Sequence, residues 1–360
     1  MNILIRFILG FFKNRQKTNF RVSDTQKILI YARMKIGDSI MVFPFLREMK
    51  KNNPNLQIDV LATVQSDFMY RNNPNVNKTY TMHKKLKFFT RTILIDWFEL
   101  KRNNYDVILD LEAIRVLSFV YLALLKAKVY LSANHVNRYG IDLQKFDFFD
   151  NIKIEKDYML QSKNILKNLT FFDYTEFDDS LEVFTTPQKQ AYAKKYFQTY
   201  KNSNKKIIAF NVLGSSLIRS MNEKDYMYIL TELSKIDNVA VFMITMPQNK
   251  KEVQQNIQGM DNIFLAYDTK DIFDVIALVE QVDVLITPDT ALVHIANALK
   301  KDAVGIYSSN INSIKVWHDK NSTVVDVRSS HTDTDSIQGF SKDDVLKNVN
   351  LMLNRQKNEQ

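Results

Sequence analysis

Three short segments of this 360-residue chain place chemically competent side chains directly after an apolar run. The first is Met34-Lys35-Ile36-Gly37-Asp38-Ser39, which follows Lys27–Arg33 (KILIYAR). Asp38 can take a proton from a hydroxyl there as a general base, or it can cap the next helix, in which case its role is structural. Gly37 permits a tight turn or a close approach of backbone to a ligand. The second segment is Asn211-Val212-Leu213-Gly214-Ser215-Ser216, with Arg219 shortly after it. A glycine, two hydroxyls and a guanidinium are the parts of a phosphate cradle, although a P-loop would need to end in Gly-Lys-Ser/Thr. The third segment runs from Ile286 through Thr287-Pro288-Asp289-Thr290-Ala291 to His294 and Leu299. Asp289 or Thr290 caps a helix in this reading, and the N–H groups of its first turn form an anion site suited to a diphosphate. His294 lies near that turn, either as a ligand contact or as a packed, hydrogen-bonded residue.

Such groups act together only if the elements between them bring them to one end of a sheet. Short apolar runs alternate with longer amphipathic ones from residue 27 onward, which predicts crossovers onto parallel sheets. Strands are expected at Lys27–Arg33, Gln57–Ala62 and Asp106–Leu111, with helices at Ser39–Asn52, kinked at Pro44, Thr92–Arg102 and Ile114–Lys126. A polar passage over 132–186 follows. The same grammar then resumes, with strands at Lys206–Val212, Val239–Thr245, Ile263–Leu265, Val282–Ile286 and Ala303–Tyr307 and helices between them. Two α/β halves result, divided near Thr185-Thr186-Pro187, with a terminal helix over Lys342–Asn354. Ligands of such sheets sit beyond the carboxyl ends of strands, and all three segments lie there.

Composition narrows the classes further. With 45% hydrophobic and 25% charged residues the chain is globular, and zero cysteines exclude disulfides, thiol catalysis and thiolate zinc sites. The net charge of +9 is uneven, because residues 1–60 hold eleven Lys/Arg against four Asp/Glu. That bias suits an anionic partner: nucleic acid, lipid headgroups or phosphorylated saccharides. Residues 3–12 put Ile3, Leu4, Phe7, Ile8, Phe11 and Phe12 on one helical face before Lys13, Arg15, Lys17 and Arg21. This is the pattern of a helix lying in an anionic membrane interface, or of one packed on the protein itself. It lacks the charged start and small-residue cleavage site of a signal peptide, and no run is long enough to span a bilayer. Lys84-Lys85-Leu86-Lys87-Phe88-Phe89 adds a second basic and apolar patch. His331, Asp333 and Asp335 are spaced like an Asp-x-Asp metal motif, but in a Ser/Thr/Asp-rich stretch that reads as a solvated loop.

In order and distance, Gly37-Asp38 with Pro44, the middle loop and Asp289-Thr290-x-x-x-His294-x-x-x-Ala298-Leu299 resemble glycosyltransferase family 9, the ADP-heptose:lipopolysaccharide heptosyltransferases. The resemblance covers about residues 27–310. It implies an α/β chain of GT-B architecture, two Rossmann-like domains with parallel sheets facing across a cleft. The segments would be a basic amphipathic one over 1–26, an acceptor-binding domain over 27–185, a nucleotide-sugar-binding domain over 186–330 and a terminal loop and helix over 331–360. The implied reaction is an inverting, metal-independent transfer with no cofactor. By this resemblance Asp38 is the base, Asp289 holds donor hydroxyls, and Thr290, Ala291 and His294 form the diphosphate site. Ser215 and Arg219 match the phosphate loop and Glu252 the ribose contact, while Lys35, Gly37, Lys84, Lys85 and Lys87 face the acceptor. Ala291 stands where the family usually has glycine, and Ser220-Met221-Asn222 replaces its usual Trp-Pro.

The expected donor is ADP-heptose or another nucleotide sugar. The expected acceptor is an anionic lipid-linked core saccharide, met by a cytoplasmic enzyme on the inner face of the inner membrane, with no nucleic acid involved. Two other classes stay open: a nucleotide-sugar epimerase of the same fold, which needs no acceptor, and a noncatalytic anion-binding assembly module, which needs neither Asp38 nor Asp289.

Overall fold

The computed structural model describes residues 10, 15–82, 91–111, 116–134, 142, 144, 148–152, 160–310, 323–332 and 335–358. Apart from Gly10, the amphipathic stretch over 3–12 lies outside these, as do Lys84, Lys85 and Lys87. The chain divides into two compact units, Met1–Ser180 and Leu181–Gln360.

The first unit carries β1 (Lys27–Ala32), β2 (Gln57–Thr63), β3 (Lys78–Met82), β4 (Val107–Asp110), β5 (Val129–Ser132) and β6 (Asn151–Ile152) in the order β3-β2-β1-β4-β5-β6. Every neighbouring pair is parallel. Its helices are α1 (Ile36–Ile40), α2 (Phe43–Asn52), α3 (Asp67–Arg71), α4 (Arg91–Arg102), α5 (Val116–Ala123) and α6 (Gln161–Leu166). Residues 28–32 of β1 are buried on both faces, which is why the run is apolar throughout rather than alternating. Where one kinked helix was expected over 39–52, there are two, broken at Met41-Val42. Pro44 falls in the first turn of the second, where its missing N–H costs nothing.

The second unit repeats the plan with β7 (Lys206–Asn211), β8 (Val239–Ile244), β9 (Ile263–Leu265), β10 (Val284–Pro288), β11 (Asp302–Tyr307) and β12 (Val324–Arg328), ordered β12-β11-β10-β7-β8-β9 and again parallel. Its helices are α7 (Pro187–Asn202), α8 (Glu223–Ser234), α9 (Lys250–Asn256), α10 (Ile272–Gln281), α11 (Ala291–Ala298) and α12 (Lys342–Asn358). The terminal helix is part of this unit's core, since Val345, Val349, Met352 and Leu353 are buried in one cluster with Ile286, Val304 and Ile306.

Counted within each unit, both sheets have the doubly wound order 3-2-1-4-5-6. The direction of winding reverses between β1 and β4 and again between β7 and β10, and ligands of open sheets bind in the crevice at such a reversal. The same brace recurs behind each reversal. Asp106, before β4, accepts from the N–H groups of Gln26 and Lys27 at 2.9 and 3.0 Å. Asp283, before β10, accepts from the Ile207 N–H at 2.7 Å.

The basic leader is not wholly available to a partner. Arg15 pairs with Asp150, donates to the Phe148 carbonyl and lies over the Tyr130 ring. Thr18 donates to the Lys128 carbonyl, and the Lys128 ammonium sits 4.5 Å over the Phe20 ring. Residues 15–20 are therefore strapped to the β5–β6 side of the first sheet.

Candidate functional site

All three junctions fall at the reversals. In the first unit the chain leaves β1 and enters α1 within four residues, with Lys35 at the N-cap position. Asp38 is the third residue of α1 rather than its cap, and its Oδ2 accepts from the Lys35 N–H at 3.3 Å. Ser39 locks the same turn by donating from both N–H and Oγ to the Lys35 carbonyl at 2.9 Å. Gly37 has no left-handed φ; it leaves the helix bare of a side chain next to Asp38. Burial pushes the Asp38 carboxyl above the ordinary aspartate range, opposed by the Lys35 N–H and ammonium. A half-buried carboxylate with a raised pKa is a competent proton acceptor. Lys35 beside it is exposed.

In the second unit two junctions are tied into one. Asn211, the last residue of β7, is buried and donates from Nδ2 to Thr287 Oγ1 and to the Leu213 carbonyl, each at 2.9 Å. Thr287 Oγ1 in turn lies 3.2 Å from Thr290 Oγ1. Thr290, not Asp289, is the N-cap of α11, accepting from the Leu292 N–H at 3.3 Å. Asp289 is thus left to face Arg219, whose guanidinium nitrogen is 3.7 Å from its Oδ2. Burial raises the pKa of Asp289, and the Arg219 charge opposes that rise.

The loop that carries Arg219 is held shut by its own hydrogen bonds. The Gly214 N–H donates to Ser220 Oγ at 2.9 Å, Ser220 Oγ donates to the Ser216 carbonyl, and the Met221 N–H returns to the Val212 carbonyl. A Cβ at Gly214 would lie 1.9 Å from the Arg219 carbonyl oxygen, so only glycine fits. Gly214→Ala is accordingly expected to open the loop. It should cost about 1–3 kcal/mol of stability through overpacking and weaken nucleoside diphosphate binding, both readable from thermal melts with and without ligand.

The other candidates are more dispersed. Ser215 is exposed at the loop tip, Ala291 opens α11, and His294 is buried in the body of that helix. Glu252 is exposed in α9, the helix after the neighbouring strand β8. Among the described residues no group of three metal-ligating side chains assembles. Asp335 is directed instead at Arg219, 3.5 Å away, and at Asn310. Sequence reasoning missed Asn211, Thr287 and Ser220, although a polar residue ending an otherwise apolar strand marks Asn211. A cavity of about 670 Å³ lined by Tyr196, Tyr200, Gln254 and Phe264 lies against edge strand β9 and shares no residue with the junctions, so the chemistry is not assigned there.

The chain is 23% identical over 351 residues to lipopolysaccharide heptosyltransferase 1 of Campylobacter coli, covering 90% of this chain and 98% of that one. Among solved structures it resembles a family 9 glycosyltransferase of Veillonella parvula (TM-score 0.76, 13% identity, 93% and 99% of the two chains). It also resembles the E. coli heptosyltransferase WaaC with ADP (TM-score 0.69, 12% identity, 91% and 99%). Two parallel six-stranded sheets and these neighbours give it the GT-B fold. The model of glycosyltransferase family 9 (heptosyltransferase) matches residues 97–339, a span that takes in the Arg219 loop, Asp289 and Asp335. With that match over two thirds of its length, the chain belongs to glycosyltransferase family 9, and the enzyme is a glycosyltransferase.

Proposed function

We propose that the chain moves a heptose from ADP-heptose onto an anionic, lipid-linked core saccharide, with inversion and without a metal ion or cofactor. The observation that carries this reading is the Arg219–Asp289 pair at the β7/β10 reversal, backed by the Thr290-capped helix. Asp289 would hold donor sugar hydroxyls. Arg219 and the N–H groups at Thr290–Ala291 would take up the charge of the departing diphosphate, with Ser215, His294 and Glu252 supporting the nucleotide. Asp38 would remove the acceptor proton as its oxygen attacks the anomeric carbon, and one displacement without a covalent intermediate inverts that centre. Lys35 and the patch at Lys84, Lys85 and Lys87 would meet acceptor phosphates. A family of transferases disfavours the epimerase and noncatalytic alternatives. The solved E. coli relative carries ADP, which makes ADP-heptose the first donor to try.

Incubating the protein with ADP-heptose, other nucleotide sugars and core saccharides, with product read by mass spectrometry, tests the reading. Transfer from ADP-heptose is expected to persist in excess chelator. A strict magnesium or manganese requirement, or transfer only from another donor, would overturn the corresponding part.

Work at the inner membrane's cytoplasmic face is part of the same proposal. Because Arg15, Thr18 and Phe20 are engaged with the first unit, membrane contact would fall to residues 1–14, and a deletion of that stretch spares the strap. Co-sedimentation with anionic vesicles at low salt is expected for the full chain and lost in the deletion, each basic residue contributing roughly 1 kcal/mol. Binding that survives the deletion and high salt alike would refute it.

A further inference from the structure

The carboxylate of Asp335 faces the guanidinium that Arg219 would offer to a diphosphate at the donor site, and resting on that donor-site reading, we propose that Asp335 is a built-in counter-ion. It holds Arg219 until a nucleoside diphosphate arrives, gives way to that ligand, and returns as the product leaves.

Its aim at Arg219 is constructed rather than incidental. The Ser336 hydroxyl and the Ile337 N–H both donate to the Ile218 carbonyl, at 3.3 and 3.0 Å. On the other side of Arg219, Gln338 Nε2 donates to the Ser220 carbonyl at 2.8 Å and its Oε1 accepts from Asn222 Nδ2 at 2.7 Å. The segment 336–338 is thus laced to the phosphate loop on both flanks of the arginine. A bridge between Ser329 and Phe340 closes the base of the excursion, and Gly339 turns it at a φ of +77°, where a Cβ would lie 2.5 Å from the His331 ring. Asn310 Nδ2 donates to Asp335 Oδ1 at 3.2 Å.

Two carboxylates then share one guanidinium, Asp289 at 3.7 Å and Asp335 at 3.5 Å. A diphosphate approaching that group meets an excess of negative charge, so one carboxylate must withdraw. Asp289 cannot: it directly follows central strand β10, its N–H is bonded to the Ile306 carbonyl, and its side chain is 15% exposed. Asp335 can, because its side chain is 56% exposed on a loop. An exposed pair is weak enough to be exchanged for a more highly charged ligand, and strong enough to speed that ligand's departure.

The test is titration of the full chain and of Asp335→Asn, Asp335→Glu and Arg219→Ala with ADP and with inorganic diphosphate, together with stopped-flow release of ADP. Asp335→Asn keeps the side chain's size and hydrogen bonding but removes the charge. It is expected to lower the Kd of both probes about two- to five-fold and to slow release by a similar factor, the gain shrinking as salt rises. Asp335→Glu should return the parent affinity, and Arg219→Ala should weaken it. A residue that only shapes the loop would respond to neither charge nor salt. Equal or weaker binding in Asp335→Asn, with Arg219→Ala still impaired, overturns the counter-ion and leaves the donor site standing. Failure of the parent chain to bind either probe overturns the donor site and the counter-ion with it.

Discussion

Asp38→Asn is expected to lower kcat by about 10²-fold or more while leaving nucleotide-sugar affinity within a few-fold, because a neutral amide cannot accept the acceptor's proton. Asparagine keeps the acceptor oxygen that receives the Lys35 N–H, so the first turn of α1 survives the change. Two further readouts separate a lost base from a damaged fold. Burial raises the carboxyl above the ordinary aspartate value of 3.8, so the acid limb of kcat in the parent enzyme should lie above that value and vanish from the residual activity of the variant. Stability should move the other way. A carboxyl that binds its proton more tightly in the folded state loses stability as pH rises from the unfolded to the folded pKa, and the loss persists at neutral pH. Removing the charge is therefore expected to leave the melting temperature at pH 7 unchanged or higher. Transfer within a few-fold of the parent rate, or a fall in melting temperature that accounts for the lost rate, would remove Asp38 from the role of base.

Much of the fold was legible because its central strands are buried on both faces. Such strands read as unbroken apolar runs, as in Ile28–Ala32, Ile207–Phe210 and Val239–Ile244. The overlooked strands carry weaker signals. β3, Lys-Thr-Tyr-Thr-Met, alternates polar with buried residues at an edge of the first sheet, β12 carries Asp326 and Arg328 at an edge of the second, and β5 and β6 are only four and two residues long. The junctions themselves could be found because a polar cluster after an apolar run is a local pattern. What each residue does there was less legible. Asp38 and Thr290 both suit a cap, and only the backbone decides that Lys35 holds the cap position in one junction and Thr290 in the other. Asn211 and Thr287 meet across neighbouring strands, and Asp335 meets Arg219 from the far end of the unit. Contacts of that kind depend on tertiary arrangement, so the spacing of Asp333 and Asp335 suggested a metal motif where the fold gives Asp335 an arginine.

Arg219→Ala is expected to have the second large effect, on the leaving group rather than the nucleophile. Charge-assisted hydrogen bonds to a phosphate are worth about 1.5–3 kcal/mol each, so the Kd of ADP should rise roughly ten- to a hundred-fold. Turnover should fall by about 10²–10³, because the diphosphate gains negative charge as the bond to the sugar breaks and the group that absorbs it is gone. Arg219→Lys keeps the charge but not the planar fork, and should recover part of the affinity and less of the rate. The substitution also acts on Asp289. Arg219 is the group that holds down that carboxyl's raised pKa, so its removal moves the pKa further up and extends the acid side of the activity loss toward neutrality. A double-mutant cycle with Asp289→Asn isolates this coupling. If the two residues form one site, the double variant should be less impaired than the two single losses combined. Independent, fully additive losses would mean that the 3.7 Å approach of Arg219 to Asp289 carries no part of donor binding.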